Sequence, residues 1–241
     1  MLRRIIDENW LTAKGAFGIF PANATENDNI EIKDEQGQPF MILNHLRQQV
    51  KKAEGRQYNC LTDFIAPNST GIKDHIGAFA VTTGIGIEKW VKHFEENQDD
   101  YSAILLKALA DRLAEAFAER MHERVRKEFW GYATEEQLNN TALIKEQYKG
   151  IRPAPGYPAC PEHSEKEKLF RLLDVQNKLQ ISLTESFAMY PAAAVSGWYF
   201  AHPESKYFGI PKIAEDQLLD YVERKGMDEA RARRLMGHLM G

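Results

Sequence analysis

The chain of 241 residues carries a net charge of −4 and is 43% hydrophobic and 27% charged, values typical of a soluble globular protein. Its acidic balance argues against a nucleic-acid-binding surface, which is usually basic, and no apolar run approaches the roughly 18 residues of a membrane-spanning helix. With only Cys60 and Cys160 available for a disulfide, the composition indicates a cytoplasmic protein with one hydrophobic core.

The first third of the chain has the composition of short strands. Runs rich in Ile, Val and Phe are separated by clusters of Gly, Asn, Asp and Pro, which favour turns. The predicted strands are residues 16–20, 30–33, 40–44, 60–66 and 76–82, and a short helix is expected over residues 46–54.

The middle of the chain is predicted to be helical. Residues 88–97 have an amphipathic pattern, and apolar residues recur every three or four positions through 101–130, a helix of about 45 Å at ~1.5 Å per residue. A further helix, with Thr134 as its N-cap, is expected to run to residue 148. The predicted apolar stripe consists of Ile104, Leu105, Ala108, Leu109, Leu113, Ala116, Phe117, Met121 and Val125.

The last third mixes helices and strands. Residues 165–178 are predicted to be a helix, 183–189 and 195–202 strands, and 214–225 and 228–240 helices separated at Gly226. Strands come first, long helices next and a mixed segment last, and no repeat or linker divides the chain. This order predicts an α+β fold, a single domain with a largely antiparallel, twisted sheet and several long helices.

Residues 152–163, which we call the proline strap, are the most informative segment because they hold four of the chain's ten prolines. Each proline fixes its own φ and biases the preceding residue toward an extended conformation, so this segment is neither helix nor central strand. We expect a stiff, extended segment with one flexible joint at Gly156. Such a segment loses little entropy when it orders around a ligand, which is typical of a recognition element.

The residues that look reactive also have simpler explanations. Cys160 and His163 form a Cys-x-x-His pair. A zinc site would need a second pair of ligands, which the sequence does not offer at a suitable spacing, and a Cys–His catalytic pair would need a residue that orients His163, which is not visible either. Asp111, Glu115 and Glu119 share one face of the long helix and could supply paired carboxylates, although a solvated helix face is the simpler explanation. We therefore predict no catalytic residue and no metal site in this chain.

Ligand recognition is the better interpretation of the strap. The planar fork of Arg152 can bind a carboxylate, and the backbone of Ala154 can hydrogen-bond a purine edge. Tyr157 and Tyr207 can supply an aromatic surface that attracts a cation. A ligand with a carboxylate, a purine and a cationic centre fits these groups. S-adenosylmethionine has all three, but pockets of this composition are common and other ligands stay open.

Several motifs along the chain match those of a known family and are too long to agree by chance. They are Phe20-Pro-Ala-Asn23, His45-Leu-Arg-Gln-Gln49, Ile76-Gly-Ala-Phe-Ala-Val-Thr82, Ala108-Leu-Ala-Asp-Arg-Leu-Ala-Glu-Ala-Phe-Ala-Glu119, His122-Glu-Arg-Val-Arg-Lys127, Trp130-Gly-Tyr132, the whole proline strap, Leu183-Thr-Glu-Ser-Phe-Ala-Met189, Val195-Ser-Gly-Trp-Tyr-Phe200, His202-Pro203 and Ser205-Lys-Tyr207. In these segments, from about residue 14 to the C-terminus, the chain resembles the C-terminal activation (reactivation) domain of cobalamin-dependent methionine synthase.

The resemblance implies a module that binds S-adenosylmethionine and reactivates cobalamin after its oxidation to the inert cob(II)alamin state. In that family flavodoxin or an equivalent reductase supplies an electron, and S-adenosylmethionine methylates the reduced cobalamin, which a neighbouring domain holds. The full enzyme transfers a methyl group from methyltetrahydrofolate to homocysteine and keeps its zinc in another domain. Methyl transfer requires the domain to position the donor, not to supply an acid or a base.

The resemblance also implies roles for individual residues. Asp111 is a candidate contact of the cobalamin-binding module, and His163 is expected to face the corrin. The residues implied for the S-adenosylmethionine site are Arg152 for the methionyl carboxylate, Ala154 and Tyr157 for the nucleoside, Tyr207 with Phe208 as the closing wall, and Glu115 as a carboxylate of the same site.

The resemblance has one gap. Family members carry a further N-terminal segment with an Asp-Trp-Thr-Pro-Phe motif whose Asp contacts S-adenosylmethionine, and this sequence contains no such motif. Residues 1–241 are therefore expected to be the activation domain without that segment, part of a larger multidomain enzyme and weakened in its ligand affinity. Two alternatives stay open: a module that docks flavodoxin and the cobalamin domain without binding ligand, and a small thiol or metal enzyme that uses Cys160 and His163.

Overall fold

A five-stranded antiparallel sheet with the strand order β3-β2-β1-β4-β7 forms the centre of the computed structural model, which describes residues 1–240. A separate two-stranded hairpin pairs β5 with β6. The predicted α+β fold with a largely antiparallel sheet is confirmed. The strands are β1 (Thr12–Ala24), β2 (Asn29–Lys33), β3 (Pro39–Asn44), β4 (Asp74–Ile85), β5 (Ser182–Leu183), β6 (Met189–Tyr190) and β7 (Ala194–Tyr199).

Helices cover both faces of the sheet. Alternate residues of β4 point to opposite faces: Ile76 and Ala78 join the core under α5 and α6, whereas Phe79 and Val81 pack under α3. Within residues 1–240 no helix is both long and apolar enough to cross a membrane. The helices are α1 (Leu2–Asp7), α2 (Ile87–Glu96), α3 (Asp100–Arg124), α4 (Asn140–Ile144), α5 (Glu165–Leu173), α6 (Val175–Leu179), α7 (Glu215–Lys225) and α8 (Glu229–Met236).

The buried face of α3 differs from the predicted stripe. Ile104 is 66% exposed, and Ala108 and Ala116 are exposed as well. The buried face is instead formed mainly by small side chains, which let the helix approach the sheet so closely that the Thr83 hydroxyl donates a 2.6 Å hydrogen bond to the Ala110 carbonyl. The predicted stripe contained most of the larger apolar residues of the helix. In the structure, close packing against the sheet instead buries Ala103, Leu106, Ala110, Ala114, Ala118 and His122.

The predicted helix over residues 46–54 is wrong, because this segment is irregular. Its backbone is held by partners distant in sequence: the Arg47 N–H donates to the Gln217 side chain at 2.6 Å, and the Gln48 N–H donates to the Asn59 carbonyl at 3.0 Å. These tertiary hydrogen bonds replace those that a helix would have made within the segment.

The predicted strand over residues 60–66 is also wrong. The segment contains a 3₁₀ helix, Leu61–Phe64, and the carboxylate of Asp63 caps it by accepting the Cys60 N–H at 2.8 Å. Its apolar residues are buried in an irregular segment without strand pairing, which a composition-based prediction does not distinguish from a strand.

Three other predicted elements are shorter than expected. Of residues 134–148 only α4 is helical, because the preceding chain turns to bring Glu136 against Arg126. The helix over 165–178 is interrupted at Asp174, which has a φ of +53°. The strand over 183–189 is a hairpin turn between β5 and β6, so only its ends are paired.

A buried histidine makes the stability of this fold depend on pH. His45 follows β3, is 2% exposed, and neither ring nitrogen has a hydrogen-bond partner within residues 1–240. Burial lowers its pKa to about 4. Since the unfolded chain takes up a proton near pH 6.5 and the folded chain only near pH 4, the free energy of unfolding should fall by about 3 kcal/mol as pH drops through this window.

Urea unfolding between pH 7 and pH 4 measures this effect. His45→Leu should make the pH dependence less steep but leave the part that the buried, neutral His122 contributes, whereas His238→Leu, at an exposed position, should leave it as in the wild type. An unchanged pH slope in His45→Leu would show that another group is responsible.

Candidate ligand-binding site

A cavity of about 310 Å³, which we call the strap cavity, lies where the proline strap meets α3 and the sheet. Phe79 of β4 and Val195 of β7 contribute to its wall, and Glu146 stands beside it. The cavity brings together residues that are up to 129 positions apart in the chain, Phe79 and Phe208. Its lining includes Arg152, Ala154, Tyr157, Tyr207, Phe208 and Glu115, the six residues that the sequence resemblance implied for the ligand site.

The strap begins as an addition to the sheet edge. Ile151 and Phe200 exchange two backbone hydrogen bonds of 3.0 Å, and the Trp198 N–H donates to the Pro153 carbonyl at 2.9 Å. Gly197 of β7 allows this approach, because a Cβ at that position would lie 2.8 Å from the Pro153 oxygen. The start of the strap, up to Pro153, is therefore held by backbone hydrogen bonds to the edge of the sheet.

Beyond Pro153 the strap is not extended, contrary to the prediction. The Tyr157 N–H donates to the Ala154 carbonyl at 3.0 Å, and the Cys160 N–H donates to the Tyr157 carbonyl at 2.9 Å, so the chain makes two successive tight turns. Pro155 and Pro158 occupy positions where turns accept proline. The prolines stiffen a folded loop, not a linear segment.

Gly156 is a fixed point of this loop, not the flexible joint that was expected. Its φ is +94°, and its N–H donates to the Cys160 carbonyl at 2.7 Å. A Cβ at this position would lie 2.4 Å from the imidazole of His163. The ring therefore packs directly on the glycine backbone.

Gly156→Ala should destabilise the protein by about 1–3 kcal/mol and weaken ligand binding, because it adds both left-handed strain and contact with the His163 ring. Gly226→Ala is the matched control, since Gly226 also has a positive φ of +63° but nothing within 4 Å of an added Cβ. Thermal unfolding of both variants separates strain from contact. Equal losses in the two variants would mean that the His163 contact contributes nothing.

Arg152 is held from three sides. One guanidinium nitrogen, Nη1, donates to Glu119 Oε2 at 2.7 Å and lies 3.3 Å from His122 Nδ1. The Arg152 backbone N–H donates to the Tyr207 hydroxyl at 3.0 Å, and that hydroxyl lies 3.0 Å from the hydroxyl of Tyr148. Within residues 1–240 the Nε and Nη2 atoms of Arg152 have no hydrogen-bond partner, and neither is a fully buried atom. The Nε–Nη2 edge of Arg152 is thus unpaired, and Arg152 lines the strap cavity.

His122 lies beneath Arg152 as a neutral ring. Burial, and then the charges of Arg126 and Arg152, lower its pKa well below the usual value. Because the arginine can only donate, Nδ1 of His122 accepts, and Nε2 carries the proton toward the Tyr132 hydroxyl at 3.5 Å. The ring stacks on Tyr199 with centroids 4.9 Å apart.

A buried ion pair lies next to Glu119, the residue that holds Arg152. Arg126 is fully buried, and the carboxylate of Glu136 accepts from its Nε and Nη2 atoms at 2.7–3.1 Å. The sequence indicated no role in a ligand site for Arg126 or Glu136. For His122 the sequence did carry a signal. His122 continues the four-residue spacing of the mainly small residues that form the buried face of α3.

The remaining walls of the cavity supply aromatic surface and negative charge. Tyr157 is 61% exposed, so its ring is available to a ligand. The Ala154 N–H has no acceptor within residues 1–240. Glu115 and Glu146 are exposed carboxylates at the cavity, which favour a cationic group there.

Asp111 and His163 do not line the strap cavity. Asp111 belongs to a separate groove of about 570 Å³ between α2, α3 and the turn that follows Tyr190, and it pairs with Arg112 at 2.8 Å. His163 packs against Gly156 and is not among the residues that line the cavity. Their expected contacts with a cobalamin module stay predictions.

Cys160 has an environment unsuited to a nucleophile. It is buried, and burial raises its pKa well above the usual value, with further increases from Glu165 and Glu162. A thiol with a raised pKa carries little thiolate near neutral pH. Among residues 1–240 no three His, Cys, Asp or Glu side chains are grouped to hold a metal ion.

A more voluminous cavity, of about 860 Å³, is a weaker candidate site. It is lined mainly by polar residues, and its one arginine, Arg47, is already paired with Asp63 at 2.8 Å and with Asp28 at 2.5 Å. Its guanidinium is therefore occupied, whereas that of Arg152 presents an open edge.

The chain is similar to a known family and to a solved structure. The family model described as "Vitamin B12 dependent methionine synthase, activation domain" matches residues 1–226. The fold is also similar to a solved structure described as "Crystal Structure of the MetH Reactivation Domain bound to AdoHcy", with a TM-score of 0.96 and 51% sequence identity. That match covers 100% of this chain and 74% of the other.

Proposed function

Because the chain belongs to the activation-domain family of vitamin B12 dependent methionine synthase, we propose that it binds S-adenosylmethionine in the strap cavity and presents the methyl group to cobalamin on a neighbouring domain. It acts as one module of a methyltransferase. The finer proposal is that the whole enzyme methylates homocysteine from methyltetrahydrofolate, and that this module restores cobalamin that has lost its reactive state.

The open edge of Arg152 is the observation that carries the proposal. A guanidinium binds a carboxylate best through two parallel hydrogen bonds, and the unpaired Nε–Nη2 edge of Arg152, a residue of the cavity wall, offers the required pair of donors. S-adenosylmethionine and its product share an amino-acid carboxylate that fits this edge. The similar reactivation domain was solved with AdoHcy, which supports a ligand of this class.

The other groups of the cavity suit the rest of that ligand. The unpaired Ala154 N–H can donate to the purine, and the exposed face of Tyr157 can stack on it. Tyr207 and Phe208 form the closing wall, and Glu115 faces the cationic part of the ligand. Together they recognise a carboxylate, a nucleoside and a cation at separate places.

The chain's own contribution is positioning. S-adenosylmethionine supplies a methyl group on a positively charged sulfur when bound, so the protein needs no general acid, base or nucleophile for the transfer. The Glu119–Arg152 pair fixes one end of the ligand and the rigid loop fixes the other, which confines the methyl group to one orientation. A buried, inert Cys160 agrees with this division of labour.

We further propose that the domain works within a larger multidomain enzyme in the cytoplasm. The cobalamin-binding module would contact Asp111 and His163, and flavodoxin or an equivalent reductase would supply the electron. Zinc belongs to another domain of that enzyme in this proposal.

Isothermal titration of the 241-residue chain with S-adenosylmethionine and with AdoHcy tests the function. Saturable binding of both ligands is expected, with one site per chain. If neither ligand binds at millimolar concentration, the chain is better explained as a docking module for flavodoxin and the cobalamin domain.

A further inference from the structure

We propose that Glu119 is a positioning residue for Arg152: it holds the guanidinium by one nitrogen so that the opposite edge is presented to the carboxylate of the ligand. This inference rests on the proposed function, since it concerns the same cavity. It adds a residue that the family resemblance did not assign to the site. Glu119 belongs to a row of four charged side chains that ends at Arg152 in the cavity wall.

The hydrogen bonds of Arg152 are confined to one nitrogen. Nη1 donates to Glu119 Oε2 at 2.7 Å and approaches His122 Nδ1 at 3.3 Å. In a guanidinium Nη1 lies away from the Nε–Nη2 edge, so both contacts leave that edge unobstructed. Glu119 therefore orients the fork without occupying the place of a bidentate carboxylate.

A second arginine in the same cluster, Arg126, already binds a carboxylate through its Nε–Nη2 edge. Nη1 of Arg126 also points to Glu119, with 3.9 Å between Nη1 and Oε1. Its Nε–Nη2 edge is filled by the carboxylate of Glu136 at 2.7–3.1 Å. Glu119 thus stands between two arginines that face it with the same nitrogen. The ligand carboxylate would occupy on Arg152 the place that Glu136 occupies on Arg126.

The charges of the cluster agree with this template. Glu136, Arg126, Glu119 and Arg152 alternate in sign along a row of contacts that ends at the strap cavity. Arg126 has an anion on both sides, whereas Arg152 has an anion only on the side of Glu119. A ligand carboxylate completes the alternation at the exposed end of the series.

Glu119 has two opposite effects on a bound carboxylate. It repels the ligand's negative charge, but it also removes the rotational freedom of Arg152 before the ligand arrives. The guanidinium lies between the two carboxylates, since they use opposite sides of it, so the direct repulsion is reduced by the cation that both contact. We therefore expect orientation to dominate, and loss of Glu119 to weaken binding.

The test uses two ligands that differ in the carboxylate. AdoHcy carries the amino-acid group, whereas 5′-methylthioadenosine has the same nucleoside thioether without it. Glu119→Ala should weaken AdoHcy binding about tenfold and leave 5′-methylthioadenosine binding unchanged. Glu119→Gln should fall between the wild type and Glu119→Ala, because its amide oxygen can still accept from Nη1 but carries no charge. Titration calorimetry measures all of these affinities.

Controls separate positioning from loss of structure. Glu123→Gln, one turn further along α3 and paired with Arg120 and Lys127, should bind both ligands as the wild type does. Equal losses for both ligands in Glu119→Ala, or tighter AdoHcy binding, would overturn the inference while leaving the proposed function intact. Failure of the wild type to bind AdoHcy would overturn the proposed function, and this inference with it.

Discussion

Arg152→Ala is expected to weaken the binding of S-adenosylmethionine by about a hundredfold. The substitution removes two charge-assisted hydrogen bonds from the Nε–Nη2 edge, together worth roughly 3 kcal/mol after allowance for solvation. It also leaves Glu119 without its closer cation at 2.7 Å, so the empty cavity becomes more negative. Titration calorimetry on the wild type and the variant measures the change.

Two controls make this result specific. Arg152→Lys keeps the charge but loses the planar fork, so its affinity should lie between those of the wild type and Arg152→Ala. Arg120→Ala removes an exposed arginine of α3 and should change binding less than twofold, a change within experimental error. Ligand affinity that is insensitive to Arg152→Ala would exclude Arg152 as the carboxylate-binding residue.

Lys225→Met is expected to reduce the free energy of unfolding by about 3–5 kcal/mol, because buried Glu162 loses its cation and buried Glu165 keeps only Lys168. Lys225 ends α7 and contacts both Glu162 and Glu165, which are 2% and 1% exposed. Burial lowers the pKa of Lys225, but the two carboxylates more than reverse this and raise it. Because Glu162 belongs to the strap, the variant should also loosen the ligand-binding loop.

Denaturant unfolding at pH 7 measures the loss, and Lys92→Met is the matched control. Lys92 pairs with Glu96 at 3.7 Å, but both side chains are more than 60% exposed, so its removal should cost less than about 1 kcal/mol. A similar small change in Lys225→Met would mean that the buried cluster relaxes by admitting water or by taking up protons.

The residues that line the strap cavity were more predictable from the sequence than the residues that hold Arg152 in place. Arg152, Ala154 and Tyr157 lie in one unusual segment, and a chemical reading of that segment already pointed to a carboxylate and a nucleoside. Glu119 was treated as part of a solvated helix face because charge spacing does not show which side of a helix meets another chain segment. Glu136 is ten residues from Arg126 and contacts it only because the intervening chain turns, and the local sequence did not predict that turn.

The errors in the fold have a common cause. Residues 46–54 and 60–66 have the composition of regular elements, yet their backbones bond to distant partners or to a capping carboxylate. The α3 stripe failed in a related way, since closeness of approach to the sheet, not the size of each side chain, decided which face was buried. Local propensity is a weak prior wherever tertiary hydrogen bonds and packing compete with it.

The sequence by itself determined the α+β class, the main strands, the long helix and the family, because hydrophobic period and long motifs are properties of local order. The tertiary structure alone decided that the strap folds into turns, that Gly156 is fixed against His163, and that Glu119 faces two arginines. These features depend on distances between segments far apart in the chain. Such distances follow from how the helices and the sheet pack, which no single segment encodes.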